Sequence, residues 1–412
     1  MDTITHGIAG ALLGKALFRG EDMLLLKPMN RARIVTWSLM LGAIFPDIDI
    51  VRDIFSRNEL LVMTWHRSVT HSWLCLPIWA LLLAALTRWI AARFHWDAPS
   101  FRALTALYAV GIASHIFLDL VTTFGTMIWS PLSWSRPAWD ILFIIDFTFA
   151  GLLLIPQMLA WANSNLERAR IRSLLLWLIF VPTPFLVAGI AKNVGTPISE
   201  AATLIAVLIL TLLFLLPAYR GFGAKLGVAG WNRVGFAASC VYLLLAVFAH
   251  HEALQRMHAF AALENIQAEA IGALPFPPSL WHWDGLILTP RGVYEMRMDL
   301  SSPSPLAASN ASNSSSTPET KPADGPPIEY HFYPSAPSNR FIDAAKALPE
   351  VQAVLWFDRF PVTRFRMEGE VAVVEILDLR FPPIRRDRPA SFTYRVRLDS
   401  QGNVLSKGLV RR

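Results

Sequence analysis

Runs of apolar residues almost free of charge recur along the first 250 positions, at 72–86, 103–118, 141–162, 173–191, 201–219 and 234–249. Several reach the roughly 20 residues that a bilayer-spanning helix needs, and the others lean on their flanks. A shorter run, 34–45, stops at Pro46-Asp47 and is expected to cross only part of a membrane. Trp89, Trp129, Trp134, Trp161 and Tyr219 sit near run ends, where amphipathic rings anchor at the interface. The pattern predicts an all-α polytopic membrane bundle of about 6–8 membrane helices, some partial. Composition agrees: 54% of residues are hydrophobic and 17% charged, with a mean hydropathy of +0.41.

The pattern changes after residue 250. Residues 253–269 fit a short amphipathic helix leading off the last span. Strands follow at 285–288 and 293–300, joined by a turn at Pro290-Arg291-Gly292. Residues 301–327 are rich in Ser, Pro, Asn and Ala and too poor in apolar side chains to pack, so they read as a linker. Beyond them come a strand at 329–333, a helix near 340–348 and strands near 351–357, 364–381 and 391–398. Gly369 marks a turn, and 399–403 a hairpin into 404–410. The expected organisation is a membrane domain over 1–250, a helix and first strands over 251–300, the linker, and a small α+β soluble domain over 328–412.

Basic residues orient the bundle. Arg19, Lys27, Arg31 and Arg33 crowd one connection; Arg88, Arg93 and Arg102 another; Arg168, Arg170 and Arg172, then Arg220, Lys225 and Arg233, two more. The alternate connections hold Arg136 alone and Lys192 alone, and only 52–71, with Arg52, Arg57 and Arg67, breaks the alternation. The positive-inside rule places the rich loops in the cytoplasm and everything after His250 outside. Residues from 251 on hold 18 basic and 18 acidic side chains, so the net charge of +6 lies in the membrane half. That argues against nucleic-acid binding, which needs a basic soluble face. The start lacks a basic region and Lys15 interrupts its apolar stretch, so no cleavable signal peptide is expected. Thr3 or Thr5 is the expected cap of a helix reaching about Phe18. Its first turn would hold His6 in the neutral form that binds metal. Cys75 and Cys240 lie far apart in apolar runs and read as small hydrophobes.

Within this apolar background the histidines and aspartates stand out. His115 and Asp119 are four apart inside an apolar run, one above the other on a helix face. Upstream lie His6, the pair Asp47 and Asp49, and His66-Arg67-Ser68-Val69-Thr70-His71. Ionisable groups at membrane depth are costly and mark function by default, and a His/Asp set suits a divalent metal, zinc before magnesium. Singly, each has a plainer reading. Asp47 and Asp49 can cap a helix end; His66 can be an interfacial hydrogen-bond partner; His115 with Asp119 can be a metal-free proton relay; Asp140 or Asp146 can be a cap or a partner of Arg136. The conjunction points to a metal site.

Thr-His near residue 6, Phe-Pro-Asp-Ile-Asp, His-Arg-Ser-Val-Thr-His-Ser and Ser-His-Ile-Phe-Leu-Asp-Leu-Val-Thr-Thr occur in an order that resembles the YdjM-like bacterial inner-membrane proteins. The resemblance covers roughly residues 1–150 and implies a membrane-bound, metal-dependent hydrolase of the bacterial inner membrane. The order is also similar to the zinc-dependent phospholipase C and P1 nuclease group. By motif, His6, Asp47, His71, His115 and Asp119 would bind metal, with Asp49 and His66 beside them. After the His-x-x-x-Asp element that group has further histidines and a glutamate, whereas this chain offers only Asp140 and Asp146. One or two ions are therefore expected rather than three. In such a hydrolase a bound zinc makes water nucleophilic near neutral pH. Asp49 or Asp119 would take its proton, Arg67 would hold an anionic oxygen, and Thr70, Thr122 and Thr123 would support the ligands. The site's outer-leaflet position suggests a membrane lipid or lipid-linked phosphoester as substrate. The alternative is a transporter or proton-coupled permease using the same residues as a relay. Against it, no internal repeat joins the two halves, and the spans after Gly151 are nearly bare of polar groups.

Overall fold

A carboxylate sets the first helix, correcting the expectation of a threonine cap. Asp2 accepts from the Thr5 backbone N–H at 3.0 Å and from its hydroxyl at 2.6 Å. An anionic acceptor suits the positive end of a helix better than a hydroxyl does, and α1 runs Thr3–Leu17. The structure is a computed structural model describing residues 1–17, 28–56, 58–193, 197–276, 279–302, 330–381 and 390–410. Most of the expected linker therefore lies outside the described residues. After α1 come α2 (Pro28–Ile44), a 3-10 turn (Phe45–Asp49), α3 (Ile50–Phe55), α4 (Leu61–Thr64) and a second 3-10 turn (Val69–His71). The longer helices are α5 (Leu76–Arg93), α6 (Phe101–Leu120), α7 (Phe147–Asn163), α8 (Ala169–Phe180), α9 (Thr183–Asn193), α10 (Glu200–Leu215) and α11 (Phe222–Leu263).

Among the described residues, five stretches have the length and apolarity to cross a membrane: Arg33–Arg52, Leu76–Arg93, Phe101–Leu120, Ala169–Asn193 and Phe222–Leu263. The expected 6–8 included α7 and α10, which are apolar but only 17 and 16 residues long. The run at 34–45 does better than expected, because helical turns continue past Pro46 to give a 20-residue stretch. Side chains such as Leu82, Ile179 and Leu204 are more than half exposed, as lipid-facing residues are.

Small residues bring the site-bearing helices together. A Cβ on Gly10 would lie 2.7 Å from the Leu39 carbonyl oxygen, and one on Gly111 would lie 2.6 Å from the same atom. Only glycine permits so close an approach, and it brings α1 and α6 against the same turn of α2.

The helix expected at 253–269 is the tail of α11. Its Ala253, Met257 and Phe260 pack on Trp283, Ile287 and Met296 of an antiparallel sheet. That sheet has the order β1 (Ala270–Pro275), β2 (His282–Thr289), β3 (Gly292–Asp299), β4 (Tyr330–Pro334). Then come α12 (Arg340–Lys346), α13 (Pro349–Phe357) and a second antiparallel sheet. Its order is β5 (Pro361–Glu368), β6 (Val371–Asp378), β7 (Tyr394–Leu398), β8 (Val404–Leu409). The strand expected at 351–357 is α13. Val351, Val354 and Phe357 are buried at a spacing of three, and this tertiary packing overrides the β preference of Val and Phe. Strand β1 was not foreseen, since its Ala-Ile-Gly-Ala-Leu-Pro has weak strand propensity.

This C-terminal region is seated on the loops of the helical part. Leu60, Met63 and Phe124 share one core with Ile342, Val354, Phe357 and Val374. Arg359 grips Asp140 with both nitrogens, at 2.9 and 2.8 Å, and Arg380 donates to the Thr123 carbonyl at 3.1 Å.

Candidate metal centre

Where α1, the turn Phe45–Asp49, the turn Val69–His71 and the end of α6 meet, four buried side chains converge. Ligand atoms of Asp47, His71, His115 and Asp119 all lie within 4.8 Å of one another. The Nε2 atoms of His71 and His115 are 3.0 Å apart. Asp119 Oδ2 lies 3.3 Å from the first and 3.4 Å from the second, and Asp47 Oδ1 lies 3.6 and 3.5 Å from them. Donors at the corners of a tetrahedron with zinc-length bonds are about 3.3 Å apart. These edges match that figure.

The surrounding bonds aim lone pairs inward. His115 Nδ1 donates to the Ala43 carbonyl at 2.6 Å, a contact made possible by the Gly111 approach. His71 Nδ1 donates to Thr70 Oγ1 at 3.0 Å, and that hydroxyl donates on to Asp49 Oδ2 at 3.2 Å. With both Nδ1 atoms protonated, both Nε2 atoms present unprotonated lone pairs to each other. Asp119 is held by one oxygen. Its Oδ1 accepts from Arg67 Nη2 at 2.9 Å, from His6 Nε2 at 3.1 Å and from the Met1 amino group. Its buried Oδ2 has no hydrogen-bond partner. Two facing lone pairs and an orphan carboxylate oxygen repel one another unless a cation sits among them. The residues present thus fit a divalent ion, and the two-nitrogen, two-oxygen donor set suits zinc.

The other candidate residues take distinct places. His6 stands outside the four-donor group, stacked on the His115 ring at 3.6 Å and bonded to Asp119. His66 Nδ1 donates to Asp49 Oδ1 at 3.0 Å, and Asp47, Asp49 and His66 form a second, less buried group able to hold an ion. Asp47 belongs to both groups, so two ions would share it. Arg67 is buried with a left-handed backbone, φ +64°. Its N–H bonds Asp49 at 3.0 Å, and Nη1 bonds Thr122 Oγ1 at 3.0 Å. Ion pair and hydrogen bonds offset that backbone strain. Thr122 also donates to the Asp119 carbonyl at 2.8 Å, whereas Thr123 contributes its backbone carbonyl to Arg380. Asp140 and Asp146 lie apart from the donors. Asp140 pairs with Arg359, and burial still pushes its carboxyl above the usual range. Asp146 caps α7 through Phe149 N–H and accepts from Tyr242.

Sequence reasoning missed four contributors. Thr3 donates to Asp47 Oδ2 at 2.6 Å; it precedes His6 by three on the same helix, a spacing that was available as a signal. The Ala43 carbonyl and Arg380 carried no signal in the chain. Arg136 was read as a loop charge, yet it donates to the carbonyls of Met63 and His66 and rests on Phe124 at 4.8 Å. Burial, then the charges of Arg67 and Arg380, lower its pKa to about 9.

Residues 1–253 match the family model described as YdjM inner membrane protein. No curated protein and no solved structure matches the chain.

Proposed function

The chain belongs to the YdjM inner membrane protein family, and on that premise we propose that it is a membrane-embedded, metal-dependent hydrolase of a phosphoester or lipid-linked substrate. The observation that carries this reading is the inward convergence of two imidazole lone pairs and the partnerless Asp119 Oδ2. Asp47, His71, His115 and Asp119 would hold the ion, with Asp49 and His66 beside it. A divalent ion there supplies Lewis acidity and a water of lowered pKa. The chain's own groups do the rest. Asp49, through Thr70, fixes the His71 tautomer, and its partly exposed carboxylate is placed to accept a proton. Arg67 holds Asp119 Oδ1 so that Oδ2 faces inward, a positioning role in place of the expected grip on substrate. The C-terminal region, which we place on the periplasmic side, covers the loops around the site.

The test is hydrolysis of bis(4-nitrophenyl) phosphate by the purified full chain. Activity abolished by a chelator and restored by zinc is expected. The 3.0 Å His71–His115 contact also favours a second reading, a shared proton in a transporter's relay. Chelator-insensitive proton flux in vesicles, without hydrolysis, would support that reading against ours.

A further inference from the structure

A cavity of about 380 Å³ lies between α2, α5 and α6, walled by Leu41, Ile44, Leu83, Leu86 and Ile90. Its lining includes four residues with polar side-chain atoms, Thr3, Asp47, Thr87 and Tyr108. The Thr87 and Tyr108 hydroxyls bond each other at 2.7 Å. Thr3 is occupied by Asp47 Oδ2. Asp47 is also one of the four converging donors, so the cavity and the candidate metal centre share a residue. The cavity's rim residues Leu41, Ile48 and Leu86 are each about half exposed, and they lie on stretches long and apolar enough to span a membrane. The opening therefore faces hydrocarbon, and one of the polar groups inside is a carboxylate of the candidate metal centre.

We infer that this cavity binds the hydrocarbon chain of a membrane lipid and presents that lipid's phosphate-ester head at Asp47. The inference rests on the hydrolase reading for the identity of the head, and on the cavity alone for the chain. Walls that are mostly apolar select length and shape of a chain rather than a polar tail. A hydrocarbon chain also explains why a hydrolytic site would open sideways between spans. Another apolar cavity, of about 470 Å³ between α1, α6, α7 and α11, shares none of the four donors and serves as an internal control.

The experiment uses the full chain in lipid nanodiscs with dodecyl phosphate bearing a terminal diazirine. Photolabelling should be saturable, map to residues 41–48 and 83–90, and be competed by unlabelled dodecyl phosphate but not by inorganic phosphate. Leu83→Trp, which fills the cavity, should lower that labelling at least tenfold with bound metal retained. A second measurement needs no variant. For alkyl 4-nitrophenyl phosphates from ethyl to dodecyl, kcat/KM of the wild type, corrected for each ester's partition into the nanodisc lipid, should rise with chain length and level off once the cavity is filled. Labelling confined to the control cavity, or spread without competition over all lipid-facing helices, overturns the inference. So does turnover independent of chain length, which leaves the hydrolase reading standing. Competed labelling in protein that binds no metal and hydrolyses nothing upholds the chain site and overturns the hydrolase reading instead.

Discussion

Asp49→Asn tests whether the metal centre depends on its surroundings in the way the hydrogen bonds imply. The Asp49 carboxylate receives His66 Nδ1 at 3.0 Å, the Arg67 N–H at 3.0 Å and the Thr70 hydroxyl at 3.2 Å. His71 Nδ1 lies 3.5 Å away. An asparagine of equal size offers one acceptor oxygen and turns an NH2 group toward the remaining donors. One of them loses its partner, at a cost of ~1–3 kcal/mol. The Thr70 hydroxyl is then free to donate to His71 Nδ1, and the tautomer that aims Nε2 at the ion is no longer enforced. Outer-shell losses of this kind weaken metal binding ~10–100-fold, or about 1.4–2.8 kcal/mol. Competition with a chromogenic zinc chelator in detergent reads the affinity directly. An affinity equal to wild type would refute the relay through Thr70. Loss of one whole ion at unchanged affinity of the other would show that Asp49 is a ligand in the Asp47–Asp49–His66 group.

Three further outcomes follow. His115→Ala, Asp119→Ala and Asp119→Asn should each remove bound metal, the last because Arg67, His6 and the Met1 amino group claim the one remaining oxygen and turn the NH2 toward the ion; mass spectrometry of the purified variants counts the ions. Arg359→Ala leaves the buried Asp140 carboxylate unpaired, and should destabilise the seating of the C-terminal region by about 3 kcal/mol, the low end for a buried pair because Arg359 is one-third exposed. Faster limited proteolysis after residue 263 checks it, and Asp140→Asn should restore much of the loss. Asp284 is held at a pKa of about 7 by burial and then by Glu295, above its unfolded value near 3.8. The folded state therefore keeps a proton between pH 4 and 7 that the unfolded chain has released. Stability should fall as pH rises through that window, by on the order of 4 kcal/mol in full. In Asp284→Asn, thermal unfolding should lose this slope.

Much of the site is legible in the chain because its residues violate their local context. His115 and Asp119 are conspicuous in an apolar helix, as are Asp47 and Asp49 after an apolar run, and the structure draws His6, Asp47, His71, His115 and Asp119 into one contact network. What stays hidden is set by backbone and by distant sequence. The Ala43 carbonyl has no side-chain signature, and Arg359 and Arg380 reach the site loops from more than 200 positions away. Asp140 and Asp146 look like His115's companions in sequence, yet tertiary partners claim both. The membrane half reads well because hydrocarbon imposes one composition on every span. The C-terminal half reads less well: α13 carries strand-like residues, and β1 carries almost none.

The proposed metal centre places Asp47, His71, His115 and Asp119 around a cation. Its most direct test is the metal content per chain of wild-type protein purified without chelators, beside a His71→Ala/His115→Ala double variant. At least one equivalent of a divalent metal, zinc first, in the wild type and none held by these residues in the variant is the predicted result. Wild-type protein with no stoichiometric metal would contradict the claim and leave the facing imidazoles to share a proton.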